Sequence, residues 1–199
     1  SNACNIAWLV LWDREYIYAS TGVLVAGTVF LVSSLVVQIS SFGDTAQELL
    51  QQGKSTELFW VRLLVHNGIG MYVTWTVIAS LVSLAVMLIY REPFWGQETA
   101  CTISCGFLAA GFFSYNIIDL FVSDKHTRYL LSPYGVLIWA LRGILDRGYN
   151  AQHTDSVIIA ILLGYVVLAL VVKLILVVVR FCRNPEPLAL KQYLGYEPL

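Results

Sequence analysis

Three ionisable side chains lie inside otherwise apolar stretches of this sequence: Asp119, Arg142 and Lys173. Each costs about 2.5–3.5 kcal/mol on insertion scales, so such groups usually face the protein interior. Asn116 lies one helical turn before Asp119. Two chemistries fit this set, an ion or proton site formed by Asn116 and Asp119, or a buried ion pair between Asp119 and Lys173. The structural alternative is that Lys173 reaches the headgroups on its long stem while Asp119 caps or pairs locally.

The histidines do not predict a catalytic or metal centre. The spacing of His66, His126 and His153 matches no short metal-binding motif. No nucleophile, base and orienting acid can be assembled from the inventory either. We therefore predict no catalytic residue, no metal ligand and no cofactor. One enzymatic hypothesis stays open, a lipid-modifying site in which His66, His126, Asp119 and Asp124 lie near the same membrane face.

The cysteines fit packing and lipid attachment better than redox chemistry. Cys101 and Cys105 share a helical face four residues apart, unlike the CxxC spacing of redox or zinc sites. We interpret them as packing residues. Cys182 lies between two arginines just after the last apolar stretch. It is a candidate S-acylation site if that end of the chain is cytoplasmic.

Composition places these residues in a lipid bilayer. Of the 199 residues, 58% are apolar or aromatic and 13% are charged, whereas soluble domains have about 25% charged residues. A soluble domain of this size buries only about 70% of the surface that its unfolded chain exposes, so it could not hide this much apolar surface from water. The chain has 12 basic and 13 acidic residues, so it lacks the excess of basic residues that nucleic-acid binding requires. The predicted partner is the bilayer, and nucleic acid is excluded.

Hydrophobic runs define the fold class. A crossing helix needs roughly 20 mostly apolar residues, and four stretches qualify: residues 16–38, 68–90, 100–122 and 156–179. A fifth stretch, residues 129–145, is shorter and contains a proline. The predicted fold is all-α, a polytopic transmembrane helical bundle with four long spans plus a fifth short membrane-embedded helix. We predict a single integral membrane domain over residues 1–199, with a polar tail at 184–199.

The short fifth segment decides the topology. Ser132 as N-cap before Pro133 predicts its start and Gly148 its end. A tilted span is favoured, and an interfacial or re-entrant helix is the competing interpretation. One stripe of this helix carries Gly135, Trp139, Arg142 and Asp146.

Basic residues in short loops favour the cytoplasmic side. With Lys173 left out, five spans and a cytoplasmic C-terminus place seven basic residues inside and four outside. Four spans with both ends inside place five inside and six outside. The count favours five spans, in which the third and last spans run the same way and Asp119 shares a depth with Lys173. The protein is then expected in the plasma membrane or an endomembrane, with its C-terminus in the cytoplasm.

The segments outside the spans carry weaker signals. Residues 1–3 resemble a purification-tag remnant. Residues 4–12 predict an interfacial lead-in with two tryptophans at headgroup depth, or else the remnant of an earlier span. Between the first two spans, Asp44 suits a helix start and Gly53 its end. In the tail, residues 196–199 match the Tyr-x-x-apolar pattern that endocytic adaptors recognise.

Small residues mark faces where helices approach closely. Gly22 and Ala26 are spaced by four in the first span, and Gly106, Ala110 and Ser114 form a stripe in the third. We predict that the first three spans form the packed bundle, whereas the last span presents a broad face to lipid. The stripes meet either each other or another subunit.

Three functions fit these observations. The first is a non-enzymatic membrane protein that acts by association, as a homo-oligomer or an accessory subunit of a membrane complex. The second is a small oligomeric channel or transporter that uses Asn116, Asp119 and Lys173. The third is the lipid-modifying enzyme described above.

Overall fold

The computed structural model describes residues 2–51, 60–91, 96–122, 127 and 129–183, and every regular element among them is a helix. The described residues form six α-helices: α1 (Asn2–Asp13), α2 (Ile17–Gln51), α3 (Asn67–Arg91), α4 (Gln97–Ile117), α5 (Ser132–Gly148) and α6 (Thr154–Arg183). Two π-helical turns continue them: π1 (Val61–His66) leads into α3, and π2 (Ile118–Val122) extends α4.

Four of these helices are long and apolar enough to cross a membrane: Ile17–Ser41, Leu63–Tyr90, Gln97–Leu120 and Thr154–Val179. They overlap the four long spans expected from hydrophobic runs, and the predicted fold class of a transmembrane helical bundle is confirmed. Helix α5 has 17 residues, which corresponds to about 25 Å. It ends at Gly148 as predicted, and it begins at Ser132, one residue before the predicted first helical residue Pro133.

Helix α3 is the central element of the bundle. It packs against α2 on one side and against α4 and α5 on the other, while α6 packs against both α4 and α5. Helices α3, α4, α6 and α5 therefore form a closed ring of neighbours. The core of this ring is apolar and aromatic, and it includes Ile78, Phe112, Tyr134, Leu137, Leu141, Leu162 and Val166.

Helices α2 and α3 meet along a line of hydroxyl side chains. Thr28 Oγ1 lies 3.0 Å from Ser80 Oγ and 3.4 Å from the Thr76 carbonyl oxygen. Farther along, the Thr21 hydroxyl donates to the Ser83 carbonyl at 3.5 Å, so the two helices run antiparallel. All five side chains are buried. We call these five residues the hydroxyl seam.

Helix α1 folds back along α2, and the expectation of an interfacial lead-in is wrong. A turn at Glu15, with φ of 60°, reverses the chain. A Cβ placed on Gly27 would lie 2.9 Å from Cys4 Cβ, and Gly27 lies about 15 Å along α2 from its start. The Asn5 side-chain amide also donates to the Tyr72 hydroxyl of α3. The close approach is possible because Gly27 has no side chain.

Helix α2 runs without interruption to Gln51, so the helix start predicted at Asp44 is wrong. A capping residue is needed only where backbone amides lose their helical acceptors, and at Asp44 the helix simply continues. The predicted helix end at Gly53 lies outside the described residues.

Candidate functional site

A buried ion pair joins α6 to the end of α4. Lys173 Nζ lies 2.6 Å from Asp119 Oδ2 and 2.9 Å from Asp119 Oδ1. Asp119 is 2% exposed and Lys173 is 3% exposed. Lys173 therefore points inward and does not extend to the headgroups. Asp119 lies in π2, where the helical turn is wider than in an α-helix.

Helix α5 adds a tyrosine to the same carboxylate. The Tyr134 hydroxyl donates to Asp119 Oδ2 at 2.6 Å, and it accepts a hydrogen bond from the Asn116 amide at 3.1 Å. Tyr134 is fully buried, and Lys173 Nζ lies 5.1 Å from the centroid of its ring. Asn116 and Asp119 thus face the bundle interior, where Tyr134 connects them.

Lys173 also binds the backbone that connects π2 to α5. Its ammonium group donates to the carbonyl oxygens of Thr127 at 3.1 Å and Leu130 at 2.9 Å. Thr127 Oγ1 in turn donates to the Asp119 carbonyl oxygen at 3.4 Å. An ammonium group has three N–H donors, and here it faces four oxygen atoms. We call Asn116, Asp119, Thr127, Tyr134 and Lys173 the ion-pair centre.

Asn67, at the start of α3, holds the next part of the same connection. Its Oδ1 accepts from the backbone amides of Leu131 at 2.9 Å and Ser132 at 3.0 Å, and its Nδ2 donates to the Tyr129 carbonyl at 2.8 Å. The α5 N-terminus is therefore capped by a side chain from another helix. The prediction that Ser132 is the N-cap is wrong, because Leu131 occupies that position and makes no side-chain cap.

Gly70 allows this connection to approach α3. A Cβ placed at Gly70 would lie 2.7 Å from Leu130 Cδ1 and 2.8 Å from Ser132 Oγ. Any larger residue requires those side chains to move. Thr127 and residues 129–132 are thus held by Lys173 on one side and by Asn67 and Gly70 on the other.

Contacts at both ends of α4 and α6 determine their relative direction. At their starts, the Thr154 amide donates to Glu98 Oε1 at 3.0 Å, and His153 Nδ1 lies 3.7 Å from Glu98 Oε2. Near their other ends, Asp119 meets Lys173. The two helices are therefore parallel, and α5 runs in the opposite direction between these two levels.

The ion-pair centre is electrically neutral, and its hydrogen bonds come from within the chain. Both carboxylate oxygens of Asp119 accept from side-chain donors, and the ammonium of Lys173 is surrounded by acceptors. In the part of the chain that the structure describes, no three His, Cys, Asp or Glu side chains converge in a way that could hold a metal ion. These contacts hold α4, α5, α6 and the loop before α5 in fixed positions relative to one another.

Arg142 lies apart from this centre. It pairs with Asp146 on the outer face of α5, with Nη2 2.8 Å from Oδ1 and both side chains more than half exposed. The small residues predicted to mark packing faces in the first and third spans also face outward. All of them are exposed: Gly22, Ala26, Gly106, Ala110 and Ser114.

Of the other candidate residues, some are described by the structure and some lie outside the described residues. His66 is buried at the end of π1, and His153 is half-exposed beside Glu98. His126, Asp124 and the tail lie outside the described residues, as does the side chain of Cys182. Cys101 and Cys105 are partly buried, with free thiols.

Sequence reasoning missed three members of this arrangement, Asn67, Thr127 and Tyr134. Asn67 is a polar residue at the edge of an apolar run, and Tyr134 follows Ser132-Pro133 at a helix start. These signals indicate that both residues are polar groups next to a membrane helix, but neither signal identifies a partner. The partners are 15 to 65 positions away in the chain.

Comparison with known proteins gives one family. A family model described as TSPO-like protein matches residues 1–175. Neither the curated proteins nor the solved structures gave a match.

Proposed function

The chain belongs to the TSPO-like protein family, and from that premise we propose that it acts without catalysis, by association, as a homo-oligomer whose copies meet through α4. The coarser part of this statement is established: the chain is an integral membrane protein with a helical bundle whose apolar helices contact lipid. The proposal concerns what the outward faces of that bundle do.

The observation that carries the proposal is the outer face of α4. Gly106, Ala110 and Ser114 follow one another at every fourth position, and all three are exposed. Among the described residues, no atom outside the local helix lies within 4 Å of a Cβ placed at Gly106. In membranes, close helix approach through small residues replaces the hydrophobic driving force that is absent between helices in lipid. The stripe is therefore suited to a helix from another copy.

The ion-pair centre supports an associating scaffold more than a channel. A conducting site needs polar groups that bind an ion and release it again, whereas Asp119 and Lys173 neutralise each other. Removing either partner would leave a buried charge. We therefore assign this centre to positioning α4, α5 and α6, which sets the orientation of the α4 face.

We also propose a topology with five crossings. Because α4 and α6 are parallel, the chain between them must return to its starting level, and α5 makes that return. Its length of about 25 Å is short for a hydrocarbon core of about 30 Å. We therefore infer either that the bilayer is locally thinner beside α5 or that a loop flanking α5 lies below the membrane surface. With the predicted charge distribution, the C-terminus is cytoplasmic.

Subunit counting tests the association. The full chain, fused to a fluorescent protein, is reconstituted into vesicles at low protein density, and bleaching steps are counted for each particle. Wild-type particles are expected to show two or more steps, while Gly106→Leu with Ala110→Leu is expected to give mostly single steps. Both positions are exposed, and a Cβ at Gly106 meets no atom outside its local helix, so leucine there is expected mainly to separate two packed backbones of different copies.

The matched control is Gly22→Leu, another exposed small residue with open space around its Cβ position. It is expected to leave the step count unchanged. Single steps for the wild-type chain in vesicles would overturn the homo-oligomer. Recovery of one defined membrane complex from cells with that monomeric chain would then favour the accessory-subunit alternative.

A further inference from the structure

A lateral groove lies between α3 and α5, on the outside of the helix ring. It has a volume of about 480 Å³ and is lined by Met71, Trp75, Ser132, Gly135, Val136 and Trp139. The two indoles are 5.6 Å apart between ring centroids, and both are exposed. Apart from its chain neighbours and the local helix backbone, no described atom lies within 4 Å of a Cβ placed at Gly135, so the groove is open at this position. Its volume is within the range of small-molecule sites, about 300–1,000 Å³.

A charged pair continues the groove along the same stripe of α5. Gly135, Trp139, Arg142 and Asp146 follow at helical spacing. Arg142 Nε donates to Asp146 Oδ2 at 3.0 Å, and Nη2 lies 2.8 Å from Oδ1. A guanidinium has five N–H donors, and this contact uses two of them. The side chains are 67% and 55% exposed, so both charged groups remain accessible beside the groove.

The depth of this pair follows from the helix geometry. Helix α5 ends at Gly148, close to the starts of α4 and α6 where Glu98 binds Thr154. With Gly148 at the membrane surface, Asp146 lies about 3 Å and Arg142 about 9 Å below it. The headgroup layer is about 5–7 Å thick on each side. Asp146 is thus at headgroup level, and Arg142 is near the boundary with the hydrocarbon.

From this arrangement we propose that the α3–α5 face binds one ethanolamine phospholipid. Its phosphate binds Arg142, its ammonium binds Asp146, and one acyl chain occupies the groove along Trp139 and Gly135. The order of charges matches, because a phospholipid carries its phosphate deeper than its amine. From Arg142 to Ser132 the groove side of α5 extends about 15 Å, half the hydrocarbon thickness of about 30 Å, which is the reach of a chain in one leaflet.

Charge complementarity selects the headgroup. Arg142 and Asp146 sum to zero charge, so a headgroup with separated and balanced charges complements them, whereas an anionic lipid would place excess negative charge beside Asp146. A primary ammonium has three N–H donors for the carboxylate. A choline headgroup has the same charges but no donor, so it is the natural comparison.

Lipid retention during purification tests this proposal. The full chain is reconstituted into nanodiscs with equal amounts of phosphatidylethanolamine, phosphatidylcholine and phosphatidylglycerol, then released into mild detergent and analysed by native mass spectrometry. The wild-type chain is expected to retain phosphatidylethanolamine about fivefold over phosphatidylcholine. Arg142→Gln is expected to lose most retention of all three lipids, and Asp146→Asn to reduce the preference to near one.

Two matched variants separate this site from general effects. Arg147→Gln removes a neighbouring exposed charge from another face of α5, and it is expected to retain lipid as the wild type does. Gly135→Leu fills the groove and is expected to reduce retention. Gly164→Leu places the same side chain on an exposed position of α6 with open space and is expected to have no effect. Circular dichroism checks that each variant is folded.

Three results would overturn the proposal: equal retention of the three lipids by the wild-type chain, a preference for phosphatidylglycerol, or unchanged retention in both Arg142→Gln and Gly135→Leu. A change in the number of bleaching steps on Gly135→Leu, with lipid retention unaffected, would instead assign this face to a second copy. That result is separable from the α4 test, because the two sets of variants are on different helices.

Discussion

Among the described residues, two buried polar regions can be compared because they join helices in different ways. The hydroxyl seam connects only α2 and α3, through neutral side chains that bond mainly to backbone carbonyls of their own or the facing helix. The ion-pair centre connects α4, α5, α6 and the loop before α5, through one carboxylate and one ammonium. The seam is distributed along two helices, whereas the centre is concentrated at one point.

The difference shows how a membrane protein can use polarity for two purposes. The hydroxyls of Thr28, Thr76 and Ser80 each donate to a carbonyl of their own helix. They keep that acceptor if the partner helix moves away, so each contact between helices contributes little. Each charge in the centre depends on its opposite charge, because an unpaired ion in hydrocarbon is costly. We therefore expect the centre to impose one arrangement of four elements and the seam to add modest, replaceable stability.

The largest effect is expected from removing one charge of the centre. Lys173→Met leaves Asp119 buried without its counter-ion, and breaking a buried pair in this way costs about 3–5 kcal/mol. The free energy of unfolding, measured by sodium dodecyl sulfate titration in mixed micelles, is expected to fall by that amount.

Its control is the double variant Lys173→Met with Asp119→Asn, which removes both charges. It is expected to recover part of the lost stability, because an amide costs less to bury than a carboxylate. Equal losses in the single and double variants would show that the two charges are not coupled.

The next effect concerns Asn67, which is neutral but binds three backbone groups. Asn67→Leu is expected to cost about 3 kcal/mol, at roughly 1 kcal/mol for each bond. Hydrogen exchange at the Leu131 amide is expected to accelerate more than exchange in α6. For comparison, Asn116→Leu loses the bond to Tyr134 and is expected to cost about 1 kcal/mol. A larger loss for Asn116 than for Asn67 would contradict the assignment of Asn67 as the cap of α5.

Tyr134 tests the contribution of a neutral donor to the charged pair. Tyr134→Phe keeps the ring packing but removes the hydroxyl that donates to Asp119, and hydrogen bonds to charged groups contribute about 1.5–3 kcal/mol. The same unfolding titration is expected to show a loss of about 2 kcal/mol. Tyr16→Phe, at an exposed position, is the control. No loss for Tyr134→Phe would mean that Lys173 alone satisfies the carboxylate.

The smallest effect is expected in the hydroxyl seam. Thr28→Val preserves shape and removes the contact with Ser80, and interhelical hydrogen bonds in membranes average about 0.6 kcal/mol, with about 1.7 as the upper value. Ser33→Ala, which removes an exposed bond within α2, is expected to have no measurable effect. A loss for Thr28→Val as large as that for Lys173→Met would remove the distinction between the two regions.

Local patterns in the sequence were sufficient for the membrane location, the four long helices and the end of α5. A hydrophobic run must be long enough to cross the bilayer, and Gly148 acts on the backbone at its own position, so neither signal requires a distant residue. Asp119, Lys173 and Arg142 were recognisable for the same reason, since an ionisable residue in an apolar run is visible without its partner.

Tertiary structure alone decided which of these residues meet. Arg142 and Lys173 both interrupt apolar runs, yet Arg142 lies on the outer face of α5 and Lys173 lies in the core. Asn67 rather than Ser132 caps α5, and α1 packs along α2 because Gly27 leaves space for it. These outcomes depend on which helix faces approach one another, and that is determined by the packing of the whole bundle, where partners are separated by tens of residues.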